Sequence, residues 1–123
     1  MEKQYVKLTA KEEQVMNYFW AKGALFVREL LEFYSEPRPH FNTLSTIVRG
    51  LEEKGYLSHN AFGKTFQYYA IISNEEFKQM TLGNVIDKYY DNSLLSAVSA
   101  LVERKAISRS ELLELLTLIE KGE

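Results

Sequence analysis

Apolar residues fall every three or four positions over the first half of the chain, then alternate with polar ones, then return to helical spacing. Thr9-Ala10-Lys11-Glu12 has the S/T-x-x-E spacing that lets two side chains satisfy two orphan backbone donors, so a first helix starts there. Val15, Met16, Phe19 and Trp20 share one face of it and are expected in the core, with Gly23 as the stop. Ala24-Leu25-Phe26 reads as a short extended piece. A second helix is expected around Val27 to Tyr34, with Leu30, Leu31 and Tyr34 inward and Arg28, Glu29 and Glu32 in water, until Ser35-Glu36-Pro37-Arg38-Pro39 ends it.

A third helix, about Phe41 to Lys54, has two contrasting faces. Leu44, Ile47, Val48 and Leu51 follow the i, i+3, i+4, i+7 spacing of a buried stripe, and Asn42, Ser45, Thr46 and Arg49 repeat on the opposite side. Gly55 closes the helix. Tyr56-Leu57-Ser58-His59-Asn60 then reads as a strand, Ala61-Phe62-Gly63-Lys64 as a turn and Thr65 to Ile71 as the returning strand, with Phe66 and Tyr68 pointing inward. Three helices followed by a hairpin is the element order of a winged helix.

The remaining chain is helical. Ser73-Asn74-Glu75-Glu76 opens a fourth helix to about Tyr90, with Phe77, Met80, Val85, Ile86 and Tyr89 on its apolar side; Asp91-Asn92-Ser93 breaks it and caps a fifth, and Ser108-Arg109-Ser110-Glu111 opens a sixth. Tyr89, Leu94, Leu95, Val98, Leu101, Val102, Leu112, Leu115, Leu116 and Ile119 form more apolar surface than three short helices can cover, which points to a second copy of the chain. The expected fold is mainly α with a small β-hairpin. It divides into a winged-helix domain at 1–72 and a helical dimerisation domain at 73–123.

Composition narrows the function classes. The 123 residues, 46% of them hydrophobic, suffice for one compact domain and an appendage. No cysteine is present, which removes disulfides, thiolate metal sites and a cysteine nucleophile. Neither an apolar leader nor a stretch long enough to span a bilayer is evident, so a soluble, cytoplasmic protein is expected. The net charge of −2 exerts no general pull on a polyanion, but residues 1–72 hold nine Lys/Arg against eight Asp/Glu and residues 73–123 six against nine.

The polar row on the third helix is the main candidate for function. Asn pairs bidentately with adenine and Arg with guanine in the major groove, and Thr43, Ser45 and Thr46 suit phosphates or a thymine methyl. Taken alone, such a row is more often a merely solvated face; the hairpin that follows favours a recognition helix. His59, Lys64, Thr65 and Gln67 are placed on the wing to touch the nucleic-acid backbone, although Lys64 reads equally as a solvated loop lysine, and His59 and His40 as passive surface residues. These two histidines are the only ones and lack a carboxylate or thiol at ligand spacing, so neither a metal nor a cofactor is expected. No phosphate loop, nucleophile elbow or zincin motif supports an enzyme. The competing reading is a winged-helix module that binds protein through the same surface.

The run Asn42-Thr43-Leu44-Ser45-Thr46-Ile47-Val48-Arg49-Gly50-Leu51-Glu52-Glu53-Lys54-Gly55-Tyr56-Leu57, continued by Phe66-Gln67-Tyr68-Tyr69, resembles the recognition helix and wing of the penicillinase repressor family (BlaI/MecI/CopY type). Leu8 to Trp20 and Val27-Arg28-Glu29-Leu30 fit as well. The resemblance implies a homodimeric repressor on inverted-repeat operator DNA, controlling resistance or stress genes and released by a membrane sensor metallopeptidase or, in the copper-responsive branch, by a metal. Phe26 replaces the family's usual Thr or Ser helix cap, and Pro39-His40-Phe41 its Ser-Pro cap. The cysteine pairs of copper-responsive members are absent, and Ala100-Leu101 stands where antibiotic-responsive members carry a cleaved Asn-Phe bond.

Overall fold

A computed structural model describes residues 4–122. Helix α1 (Ala10–Lys22) starts at the expected box: Thr9 Oγ1 accepts the Glu12 N–H at 3.2 Å, and the Glu12 carboxylate accepts the Thr9 N–H at 2.8 Å. A two-residue strand β1 (Leu25–Phe26) leads into α2 (Val27–Leu31). Phe26 has no side-chain acceptor, so only half a cap forms, the Phe26 N–H donating to Glu29 Oε1 at 2.9 Å. Helix α2 ends at Leu31 rather than Tyr34. Past it the backbone tightens into i−3 bonds, Phe33 to Leu30 and Tyr34 to Leu31, before the proline segment.

Helix α3 (Phe41–Glu53) is followed by β2 (Leu57–Phe62) and β3 (Thr65–Ala70). The hairpin is longer and its turn tighter than expected. Pairing runs from Leu57↔Ala70 to Phe62↔Thr65, leaving only Gly63-Lys64 at the turn, where Gly63 adopts φ 63°, a conformation that costs a residue without Cβ little. Strand β1 adds to the other side of β3 through Leu25↔Tyr68 and Phe26↔Gln67, giving an antiparallel sheet ordered β1-β3-β2.

The core unites α1, α2, α3 and the base of the hairpin: Val15, Met16, Leu30, Leu44, Val48, Leu51, Tyr56 and Leu57 are buried. Trp20, expected inside, is half-buried because its indole N–H needs an acceptor and takes the Ile72 carbonyl at 2.9 Å, with Phe77 against the ring at 5.2 Å. That contact draws the start of α4 (Asn74–Tyr89) into the N-terminal core. The two compact units therefore meet between Met80 and Thr81, inside α4, where the sequence suggested 72/73.

In the second unit Ser93 Oγ caps α5 (Leu94–Glu103) through the Ser96 N–H, and the Ser108/Glu111 box opens α6 (Arg109–Gly122). No residue of α5 or α6 is buried. Tyr89, Leu94, Leu95, Leu101, Val102, Leu115, Leu116 and Ile119 are all exposed, and Val98 and Leu112 are half-exposed. The fold is a winged helix-turn-helix followed by C-terminal helices.

Candidate nucleic-acid interface

Each residue of α3 turns the helix by roughly 100°, so Leu44, Val48 and Leu51 seat it on α1 and α2 while Asn42 and Thr46 ride its outward crest. Asn42, Thr43, Thr46 and Arg49 are exposed and Ser45 is half-exposed. The row is internally organised. Thr46 Oγ1 donates to the Asn42 carbonyl at 2.9 Å and accepts from Arg49 Nη2 at 3.4 Å. The Thr46 hydroxyl thus spends its proton within the helix, and its oxygen steers the Arg49 guanidinium.

One flank of α3 drops into a concavity of about 540 Å³ that it shares with the start of α2 and the wing. Ser45, Arg49, Lys64 and Thr65 line it together with Arg28 and Phe41. Helical position alone puts Arg28 in plain solvent. The pairing of β1 with β3, which the sequence did not disclose, carries it to the rim. Glu29 also lines this space, but its carboxylate is engaged by the Phe26 N–H. Arg28 and Lys64 have no side-chain partner among the described residues, so three cationic side chains surround the concavity against one occupied carboxylate.

The other expected residues part company. Thr65 Oγ1 donates to the Phe62 carbonyl at 2.9 Å, fixing the turn. Gln67 stands on the face of β3 opposite Phe66 and Tyr68 and does not line the concavity. Thr43 lies on the far flank of α3, in a second groove with Ile47. His59 is held inward: Nδ1 meets Glu52 Oε2 at 2.6 Å, and its ring stacks on Phe66 at 4.1 Å. The seven-residue separation of Glu52 and His59 conceals this pair in sequence. Phe66 shares the inward face of β3 with Tyr68 yet is 43% exposed, because the hairpin there has passed the edge of the helical core. Burial raises the Tyr68 hydroxyl pKa; the Glu52 charge adds to the rise and the Arg49 charge opposes it. The surroundings of Tyr68 thus grade from acidic at Glu52 to basic at Arg49.

The sequence profile of the family described as Penicillinase repressor matches residues 8–121. The chain belongs to the penicillinase repressor family. It is 28% identical over 124 residues to the methicillin resistance regulatory protein MecI of Staphylococcus aureus (strain N315), covering 98% of this chain and 99% of that one. MecI of Mammaliicoccus sciuri is also 28% identical, over 122 residues, with 98% and 99% coverage. The penicillinase repressor of Bacillus licheniformis is 23% identical over 120 residues, with 97% and 94% coverage. The family match takes in both compact units, and it places the chain among regulatory repressors rather than enzymes.

Proposed function

We propose that the protein is a transcriptional repressor that binds an inverted-repeat operator as a homodimer, laying α3 in the major groove and the wing along the sugar-phosphate backbone. The observation that carries this reading is the α3 crest of Asn42, Thr46 and Arg49 beside a concavity rimmed by Arg28, Arg49 and Lys64. Arg49 and Asn42 read base edges, Ser45 and Thr43 support them, and Lys64 and Thr65 hold the backbone. His59 acts on the DNA indirectly, by fixing the wing to Glu52 of α3. Gln67 faces away from the concavity and has the smallest part in this scheme.

The exposed apolar faces of α5 and α6 support the second copy. A two-fold dimer sets two recognition helices about one DNA turn, roughly 34 Å, apart, and linking the half-sites raises avidity by a factor on the order of 10²–10⁴. Occlusion of the polymerase then represses resistance or stress-response genes. Release follows from cleavage in the dimerisation region by a membrane sensor metallopeptidase. Ala100-Leu101 is the segment in the corresponding place; it lies inside α5, where the Ala100 carbonyl accepts the Arg104 N–H at 3.2 Å, so the helix must open for a protease to act. Among the described residues no helix is long and apolar enough to cross a membrane.

Binding titrations on a selected operator and a scrambled duplex, at two salt concentrations, test the DNA assignment. Arg49→Ala is expected to lose about 1–3 kcal/mol of discrimination between the two duplexes. Lys64→Ala is expected to weaken both alike and flatten the salt dependence. Equal behaviour of the two variants would refute this division of roles. A second reading, protein binding through the same surface, is favoured by the exposed rings of Phe41, Phe62 and Phe66; a flat salt response on every duplex would select it, since phosphate contacts must release counterions.

A further inference from the structure

Apart from Thr43, the groove on the far flank of α3 has no role in the scheme above. It is lined by Lys11 and Gln14 from α1, Pro37 and Arg38 from the segment after α2, and Thr43 and Ile47 from α3. In sequence that segment merely ends a helix. In the fold it brings Arg38 beside Lys11, which lies 27 residues earlier. The Arg38 Nε–H donates to the Tyr34 carbonyl at 3.1 Å, which anchors the inner edge of the guanidinium. Its terminal nitrogens have no partner among the described residues. Glu36 Oε1 lies 3.8 Å from Nε, but its side chain is 83% exposed and so screens Arg38 weakly. Lys11 is exposed and has no hydrogen-bond or ion-pair partner among the described residues.

A helix lying in a major groove about 12 Å wide has a phosphate strand on each side. The crest of α3 divides two depressions in the same way: Arg28, Arg49 and Lys64 border one and Lys11 and Arg38 the other. We propose that Lys11 and Arg38 form a second phosphate-binding site, taking the strand opposite the one held by the wing, with the Thr43 hydroxyl and the Gln14 amide as neutral donors between them. This rests on the DNA-binding reading above. Clamping from both flanks would hold α3 at a fixed depth, whereas a wing alone leaves the helix free to roll about its axis.

Salt titrations of the full chain on operator and scrambled duplexes test it. Each phosphate contact contributes about 0.9 to the slope of log affinity against log salt. Lys11→Ala combined with Arg38→Ala is expected to lower the slope by roughly two per protomer, weakening both duplexes by the same factor and leaving their ratio unchanged. Arg38→Lys, which keeps the charge but loses the anchor on Tyr34, is expected to keep most of the slope. Lys121→Ala, a lysine in α6, is expected to leave it unchanged. If Lys64→Ala lowers the slope and the double variant does not, the second phosphate site is overturned and the operator assignment stands. A changed operator-to-scrambled ratio in the double variant also overturns it, since it would mean base reading or a distorted α3. A salt-independent wild type overturns the operator assignment and this site together.

Discussion

Replacing Glu12 by Gln removes one charge without changing shape, at the place where α1 is joined to the end of α3. Glu12 Oε1 accepts the Thr9 N–H at 2.8 Å and the Lys54 ammonium at 2.6 Å, with the two side chains 11% and 31% exposed. Glutamine keeps an oxygen for Thr9 but turns two charge-assisted bonds into ordinary ones. Each such conversion costs about 1 kcal/mol, and the partial exposure of Lys54 discounts its share, so a total of about 1–2 kcal/mol is expected. That corresponds to several degrees in Tm for a unit of this size. The pH dependence gives a sharper check. Burial pushes the Glu12 carboxyl upward, but Lys54 and Thr9 outweigh it and hold the group below its ordinary value of 4.5. The folded chain therefore releases this proton more readily than the unfolded chain. The stabilisation is complete above pH 4.5 and is lost as pH falls through the lowered value. Denaturant unfolding followed by Trp20, the single tryptophan and part of the same unit, should show a gap between wild type and Glu12→Gln that is constant from pH 8 to 6 and shrinks below about 4.5. A gap as large at pH 3.5 as at pH 7 would show that packing, not charge, links these helices.

Thr46→Val keeps the shape of the side chain but removes the oxygen that steers Arg49, so operator affinity should fall severalfold with scrambled-duplex affinity nearly unchanged. Equal losses on both duplexes would show that Arg49 does not depend on it. Leu95→Asp changes a side chain that is 78% exposed in the single chain, so unfolding of the N-terminal unit, read at Trp20, should be unaffected while sedimentation shifts from dimer to monomer. Retention of the dimer would remove α5 from the proposed interface.

Features within three or four residues of one another were legible from sequence. The caps at Thr9, Ser73, Ser93 and Ser108 form with the expected partners, because a hydroxyl at the start of a helix reaches the backbone N–H three residues on whatever the rest of the chain does. The two faces of α3 were legible for the same reason, since helical pitch alone separates Leu44 and Val48 from Asn42 and Thr46. Contacts between distant segments were not. The addition of β1 to β3 joins Leu25 to Tyr68 and lifts Arg28 to the rim of the concavity. Glu52 pairs with His59 across a seven-residue separation, and Phe66 is exposed because the hairpin outruns the core. The contact of Phe77 with Trp20, whose indole N–H takes the Ile72 carbonyl, attaches the start of α4 to the N-terminal unit. Chain geometry dictates neighbours along a helix, but which side chains meet across the fold depends on how packed elements share space and satisfy buried polar groups, and one-dimensional spacing does not carry that.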